Sequence, residues 1–400
     1  MIPFRAIGGK GYFEVSFHRK IPRMSGLRSV KAVVKMLPAV SVPPETEVGW
    51  FRVGAQPKFV GGTEGMRMME RTQIRRHGLR LILSGAVLGL VSWGIYCTVA
   101  DAWSELDGKP IPWRLDPAWL SASALFYVLG TLPMVLFWYR ALHALECRPR
   151  FFETLRAYCV GSLGKYVPGK ALVVLLRARL LYSNRAGGTA TTVSIFLEVL
   201  TMMAVGAFLA LFMFVFWLDD HLKNYPFLLP LTIGMLVIAG LPTWPAIFKK
   251  IVLRLGTARL DADIEKRLSG IQFSLMGYGW MLMTFGWICL AGSLWSVVCG
   301  IGLERDIGGD ALPYCLAAIT MAVVAGFVSL IPGGAGVREY LITVILGHFY
   351  FSEILEIPFA TATALVVAVI LRLIWLGVEF GLALTLFLIG HFYRRSQRAR

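Results

Sequence analysis

The chain has 400 residues, of which 56% are hydrophobic and only 16% charged, and its mean hydropathy is +0.65. This composition excludes an ordinary soluble domain, which needs a larger share of charged side chains at its surface. The formal net charge of +16 would suit a nucleic-acid partner, but the basic residues lie in short loops beside apolar runs, where they encode membrane topology. Composition therefore predicts an all-α polytopic membrane protein.

The first 76 residues form a basic segment with no apolar run long enough to span a bilayer. They contain fourteen Lys and Arg and five Glu, and apolar residues recur at helical spacing over 27–37. That stretch suits a basic amphipathic helix on anionic lipid, whereas the whole composition also suits a disordered extension. Translation from Met66 is a further alternative. We therefore expect residues 1–76 to be a disordered or surface-associated extension.

Apolar runs of about 20 residues predict six full transmembrane helices. They are 79–99, 118–140, 188–217, 226–247, 271–300 and 359–390. The loops between these runs are alternately rich in Lys and Arg and rich in acidic residues. This alternation predicts that both termini are cytoplasmic and that the chain lies in the cytoplasmic membrane. We expect a transmembrane domain over 77–391 and a basic cytoplasmic tail over 392–400.

One apolar region is interrupted between 151–164 and 169–182. Pro168 and Gly169 fall between Lys165 and Lys170, and proline with glycine should break the helix there. Each arm is about fourteen residues, or roughly 21 Å of helix, which is short of the ~30 Å hydrocarbon core. Both outer ends are basic, so the region is predicted to be a re-entrant hairpin entering from the cytoplasm.

A second interruption separates 312–331 from 337–350 and is flanked by acidic residues. Its break motif consists of Pro332, Gly333, Gly334 and Gly336. Two such breaks in the two halves of a membrane protein point to a transport site, and their entry from opposite faces suggests an inverted repeat. The plainer interpretation is that proline and glycine are simply common in membrane helices.

Ionisable residues are rare within these apolar segments, and each is costly at membrane depth unless it pairs or faces water. The predicted phosphate-binding cations are Lys165, Lys170, Arg177, Arg338 and Arg372. The intramembrane acids are Glu198, Glu339 and Glu379. Glu198 is a candidate partner for a hairpin cation, and Arg372 and Glu379 should project from one helix face. The alternative is that these charges only pair to hold helices together.

The two interrupted motifs resemble a known family. The run 164–170, Gly-Lys-Tyr-Val-Pro-Gly-Lys, with Arg177, and the run 332–339, Pro-Gly-Gly-Ala-Gly-Val-Arg-Glu, resemble the flippase-like membrane domain of lysylphosphatidylglycerol synthases. The resemblance implies a multi-pass domain that handles lipids or lipid-linked head groups. The soluble aminoacyl-transferase domain of the fused synthases is missing, which implies a stand-alone member. Ala335 stands where the family usually has a leucine, and Ala171-Leu172 stand where it usually has Val-Trp. These changes leave the identity of the lipid undetermined.

The leading functional hypothesis is a translocator of a phospholipid or lipid-linked head group, with membrane lipids as partners. The alternative is a transferase acting on lipid-linked substrates, or a membrane subunit of one. A scaffold for a partner complex has no positive support in the sequence. The six histidines are isolated and no catalytic or nucleotide-binding motif is present, so we expect no metal, no cofactor and no enzyme activity of its own.

Overall fold

The computed structural model describes residues 114–166, 171–181, 187–219, 225–255, 261, 263–303, 308–329 and 331–398. The predicted extension, the predicted helix 79–99 and the motif residues Pro168, Gly169 and Lys170 lie outside these ranges. Nothing in the described part tests the predicted limits of the extension, the transmembrane domain and the tail, which stay predictions.

The described part of the chain is all-α and contains no β-strand. Its helices are α1 Pro117–Ala144, α2 Phe151–Ser162, α3 Ala171–Leu181, α4 Gly188–Phe216, α5 Leu228–Gly240, α6 Pro245–Arg254, α7 Ile264–Leu268, α8 Phe273–Gly300, α9 Leu312–Val328, α10 Val337–Ile342 and α11 Ile357–Arg398. Short 3₁₀ turns at Leu163–Tyr166 and Pro332–Gly334 lie at the two predicted interruptions, and a π-helical turn, Thr343–Gly347, follows α10.

Helix α1 begins at a capped N-terminus. The Asp116 side chain accepts a hydrogen bond from the Ala118 amide at 2.8 Å, and Pro117 occupies the first turn.

The long apolar helices pack closely because small residues let their backbones approach. Along α1 and α8, a Cβ added at Gly130 or Gly286 would lie 3.0–3.1 Å from the carbonyl oxygen of the other glycine. The two helices therefore meet backbone to backbone.

Five helices within the described ranges are long and apolar enough to cross a membrane, and one bent pair is a sixth candidate. The five are Pro117–Ala144, Gly188–Phe216, Phe273–Gly300, Gly309–Val328 and Phe359–Gly390. The chain is thus an all-α, multi-pass membrane protein. The fourth of these segments is long enough to span by itself, although the sequence predicts it as one arm of a re-entrant hairpin.

The helix predicted over 226–247 is not continuous but bent near its end. Helix α5 ends at Gly240, a 3₁₀ turn covers Leu241–Thr243, and α6 continues in a direction bent by 80°. Pro242 and Pro245 explain the bend, because proline lacks the amide hydrogen that would continue the helix and clashes with the preceding turn. Hydropathy alone does not show this bend, because the run stays apolar through it.

The first interrupted region forms an antiparallel helical pair. A Cβ added at Gly161 in α2 would clash with Arg177 in α3, and one at Gly164 would lie 2.9 Å from the backbone nitrogen of Val173. A later residue of the first arm thus contacts an earlier residue of α3, which is the contact pattern of an antiparallel hairpin. With 12 and 11 residues, neither α2 nor α3 is long enough to span. Their re-entrant placement in a bilayer stays a prediction.

The second interruption is a true break in the backbone. Gly333, Gly334 and Gly336 have φ angles of +61°, +67° and +80°, a region that favours glycine over residues with a Cβ. Beyond the break, α10 folds back on α9, and Arg338 comes to lie against Gly326. The turn Leu163–Tyr166 of the first break contacts both the turn Pro332–Gly334 and α11. The two breaks therefore meet beside the last helix.

Candidate functional site

Side chains from both breaks and from α11 meet in one cluster of charges. The breaks approach each other at Tyr166 and Gly333, where a Cβ added at Gly333 would lie 3.6 Å from the tyrosine ring. The same added atom would lie 3.0 Å from a guanidinium nitrogen of Arg372. Glycine at 333 thus provides both the left-handed turn and the room for these two side chains.

Glu379 on α11 anchors the first break. Its carboxylate accepts a hydrogen bond from Lys165 Nζ at 2.5 Å and one from the Tyr166 hydroxyl at 3.0 Å. The Tyr127 hydroxyl of α1 is a third donor. Glu379 is only 6% exposed, so these three donors replace the water that a buried carboxylate would otherwise need.

Glu339 holds the second break to α11 in a similar way. One carboxylate oxygen pairs with Arg372 on α11, and the other accepts a hydrogen bond from the Gly336 amide at 2.7 Å. Arg372 also lies 3.5 Å from the Gly333 carbonyl oxygen. Arg372 and Glu379 therefore face one interior, as their seven-residue spacing predicts, and each binds a partner on a different break.

Among the described residues, Arg338 is the cation of this cluster without an acidic partner. Its side chain is half-buried, its Nε is fully buried, and within the described ranges that Nε has no hydrogen-bond partner. Gly326 and Gly334 make room for it, since an added Cβ at either position would lie 2.8 Å from Arg338 side-chain atoms. The backbone around the break thus packs closely against the Arg338 side chain, and its guanidinium is available to bind a ligand.

A small cavity lies beside Arg338 between the two breaks. Its volume is about 30 Å³, room for about two water molecules. Its polar lining comes from Lys165, Tyr166, Arg338, Glu339 and Arg372. Its apolar wall comes from Ile319, Ala322, Val323, Ile342, Ala368, Leu371 and Trp375. With Glu379 included, the cluster contains three cations and two acids, so its formal charge is +1 and favours an anion.

Arg177 and Glu198 form a separate, fully buried pair. Arg177 NH1 lies 2.8 Å from the Glu198 carboxylate, and the Tyr158 hydroxyl donates to the same acid at 3.2 Å. The guanidinium also donates to Ser162 at 3.1 Å and stacks over the rings of Tyr158 and Trp138. Glu198 is therefore the partner of a hairpin cation, and Arg177 does not line the cavity.

The structure thus divides the predicted site residues. It brings together Lys165, Gly333, Arg338, Glu339, Arg372 and Glu379, with Pro332, Gly334 and Gly336 at the adjacent break. Arg177 and Glu198 lie elsewhere, and Lys170, Pro168 and Gly169 fall outside the described residues. Their phosphate-binding role stays a prediction.

Sequence reasoning missed the tyrosines that donate to the buried acids. Tyr166 could have been found, because it lies inside the first break motif, next to Lys165. Tyr127 and Tyr158 carry no such signal, since aromatic residues in apolar segments are usually core or lipid-facing.

Within the described ranges no group of three or more His, Cys, Asp or Glu could hold a metal ion.

The fold and this cluster define a multi-pass membrane protein with a buried, net-cationic cavity between two broken helices. The sequence profile described as the lysylphosphatidylglycerol synthase TM region matches residues 79–381, and the chain belongs to this family. Membership links the protein to lipid head-group handling. A comparison with curated proteins finds no match.

Proposed function

We propose that this protein binds a phospholipid or lipid-linked head group by its phosphate and moves it across the cytoplasmic membrane. The observation that carries the proposal is Arg338, a half-buried cation in a cavity of net positive charge, whose buried Nε has no hydrogen-bond partner among the described residues. Arginine presents a planar fork of donors that matches a phosphate, and a lipid phosphate is the anion that a membrane supplies.

The other two cations of the cluster are expected to exchange their carboxylate partners for a phosphate when a lipid binds. Lys165 and Arg372 are held by Glu379 and Glu339 in this conformation. A phosphate beside Arg338 would compete with both carboxylates for the same donors. Lys170, five residues after Lys165, belongs to the same proposed set by sequence alone.

The small cavity gives translocation a geometric requirement. A volume of about 30 Å³ cannot hold a head group, so the two breaks must separate at Tyr166 and Gly333 to admit one. Both breaks contact α11, so a movement of either hairpin along α11 would open the cavity and carry Lys165 or Arg338 with it. Alternating access in transporters is largely a rigid-body movement of one repeat against the other around a fixed site.

A translocator fits the cavity better than a transferase or a transferase subunit. General acid–base chemistry needs a carboxylate that is free to exchange a proton with the substrate. Glu379 and Glu339 are each bound by at least two donors in this conformation. We therefore propose a protein without catalytic activity of its own, with membrane lipids as its partners and both termini in the cytoplasm.

Purified protein in vesicles tests the proposal. Fluorescent phosphatidylglycerol and a fluorescent neutral glycolipid are placed in both leaflets, and dithionite reports how fast inner-leaflet label reaches the outside. We expect faster loss of the phosphatidylglycerol signal than in protein-free vesicles, with no acceleration for the neutral glycolipid. Equal acceleration of both lipids would contradict phosphate recognition, and no acceleration of either would contradict translocation.

A further inference from the structure

Helix α6 lies across the direction of the helices around it. Helix α5 packs along α4, one of the apolar helices long enough to span, and α6 is bent by 80° from the helix that ends at Thr243. If α4 crosses the bilayer, a helix nearly perpendicular to its neighbour runs close to parallel to the membrane plane.

Two apolar stripes run along α6, and only one faces protein. Pro245, Phe248 and Val252 are buried, and Phe248 is only 2% exposed. The second stripe is exposed and repeats at intervals of three or four residues. It consists of Trp244, Ile247, Ile251 and Leu255. Side chains at this spacing lie on one face of a helix, so about half of the apolar arc of α6 is exposed in the described structure.

A basic edge lies beside the exposed stripe. Lys250 and Arg254 are exposed, four residues apart, and Lys249 is half-buried. Helix α6 contains no acidic residue, and within the described ranges none of these three cations has an ion-pair partner. An exposed apolar stripe with unpaired cations at its edge is typical of a helix at the boundary between head groups and acyl chains.

Aromatic side chains mark the same boundary. The rings of Trp244 and Phe273 pack edge to face, with centroids 5.1 Å apart, at the start of α6 and of α8. Both side chains are more than half exposed, and aromatic residues concentrate where a spanning helix leaves the hydrocarbon core. Ile238 and Leu241 extend the exposed apolar surface from α5 to this pair.

We propose that α6 is an interfacial helix that binds the anionic lipids of its leaflet. Ile247, Ile251 and Leu255 insert among the acyl chains, and Lys250 and Arg254 bind lipid phosphates at the surface. Opposite charge selects the occupant, since only anionic lipids give a leaflet the negative surface potential that attracts Lys and Arg. This proposal does not depend on head-group translocation, because no residue of α6 lines the cavity.

Quenching by brominated lipids tests the placement in the full-length protein. Cysteine replaces Ile251, or Ile238 on α5 as a reference, and is labelled with bimane; the unsubstituted protein, treated identically, gives the background. The vesicles are phosphatidylcholine with a quarter phosphatidylglycerol, and either lipid carries the bromine. We expect brominated phosphatidylglycerol to quench the label at 251 about fivefold more effectively per mole, the effect of roughly one basic residue near the surface. At 238 the two lipids should quench equally.

Charge variants identify the cause of that preference. Lys250→Gln with Arg254→Gln should remove it at 251, whereas Lys266→Gln, an exposed lysine on α7, should leave it unchanged. If the double variant does not fold, raising the salt concentration on the unsubstituted cations should weaken the preference instead. Three results would overturn the proposal: equal quenching by both lipids at 251, quenching there by aqueous iodide alone, or protection from every quencher, which would mean that another protein surface covers this face.

Discussion

Arg372 on the last helix pairs with Glu339, the residue that directly follows Arg338. The acid nearest in sequence to Arg338 is therefore bound to a different cation, and its second oxygen accepts from the Gly336 amide. This relationship leaves Arg338 as the surplus charge of the cluster, and it determines how variants of Arg338 should behave.

Arg338→Ala should abolish lipid movement and leave the protein inserted and monodisperse in detergent. The change leaves no buried acid unpaired, because Glu339 keeps Arg372 and Glu198 keeps Arg177. Arg338→Lys should restore only part of the activity, since lysine lacks the bidentate fork. Thermal unfolding and lipid translocation are measured on the same variants. A stable Arg338→Ala protein that moves lipid at the unsubstituted rate would rule out the phosphate site.

Arg177→Ala should act on stability instead. It leaves the Glu198 carboxylate buried and unpaired at 1% exposure, and breaking a buried pair costs about 3–5 kcal/mol. Arg177→Met combined with Glu198→Leu should recover most of the loss, because neither charge then remains in the core. Detergent-solubilised protein is followed by thermal unfolding. If the double variant unfolds as early as Arg177→Ala, the unpaired Glu198 carboxylate is not the cause of the lost stability.

Gly326→Ala should disturb the Arg338 site without touching a charge. The added methyl group would lie 2.8 Å from Arg338 Cγ, so the guanidinium must move, at an overpacking cost of about 1–3 kcal/mol. The matched control is Gly377→Ala on α11, where an added Cβ meets nothing within 4 Å. We expect slower translocation for the first variant only. Equal rates in the two variants would show that the position of Arg338 is unimportant.

Cysteine accessibility tests the orientation predicted from the loop charges. Cysteines at positions 107 and 220 should react with an impermeant maleimide from outside, and one at 250 only after permeabilisation. Positions 107 and 220 lie outside the described residues, so this prediction depends on sequence alone. The reverse labelling pattern would place both termini on the other side of the membrane.

Deletion of residues 1–65 should leave insertion and lipid movement intact, because their composition does not predict a folded core. Mass spectrometry of the native N-terminus shows where the chain begins in cells. Failure of the shortened protein to insert would make the extension part of the membrane fold.

The sequence predicted the helical class, four described spans and both interruptions, because apolar run length and Pro-Gly pairs act locally. It also predicted that Arg372 and Glu379 share one interior. It did not predict which acid binds which cation, since Lys165 and Glu379 are separated by 214 residues and only the packed fold brings them together. The bend at Trp244 was not predicted, although Pro242 and Pro245 mark it in the sequence, because apolar run length alone does not register a bend.

The distance along the chain between Lys165 and Glu379 has a consequence for biosynthesis. They are 214 residues apart, and at about 5–20 residues per second the ribosome needs roughly 10–40 s to go from one to the other. During that interval the first hairpin is already synthesised and its lysine has not yet met the carboxylate that neutralises it. If the first hairpin lies at membrane depth, as the sequence predicts, its unpaired lysine costs about 2.5–3.5 kcal/mol until the last helix supplies Glu379. Synthesis of the last helix is thus itself a step in assembling the domain. A protein truncated before residue 379 would lack the carboxylate that pairs with Lys165 and holds the first hairpin to this helix.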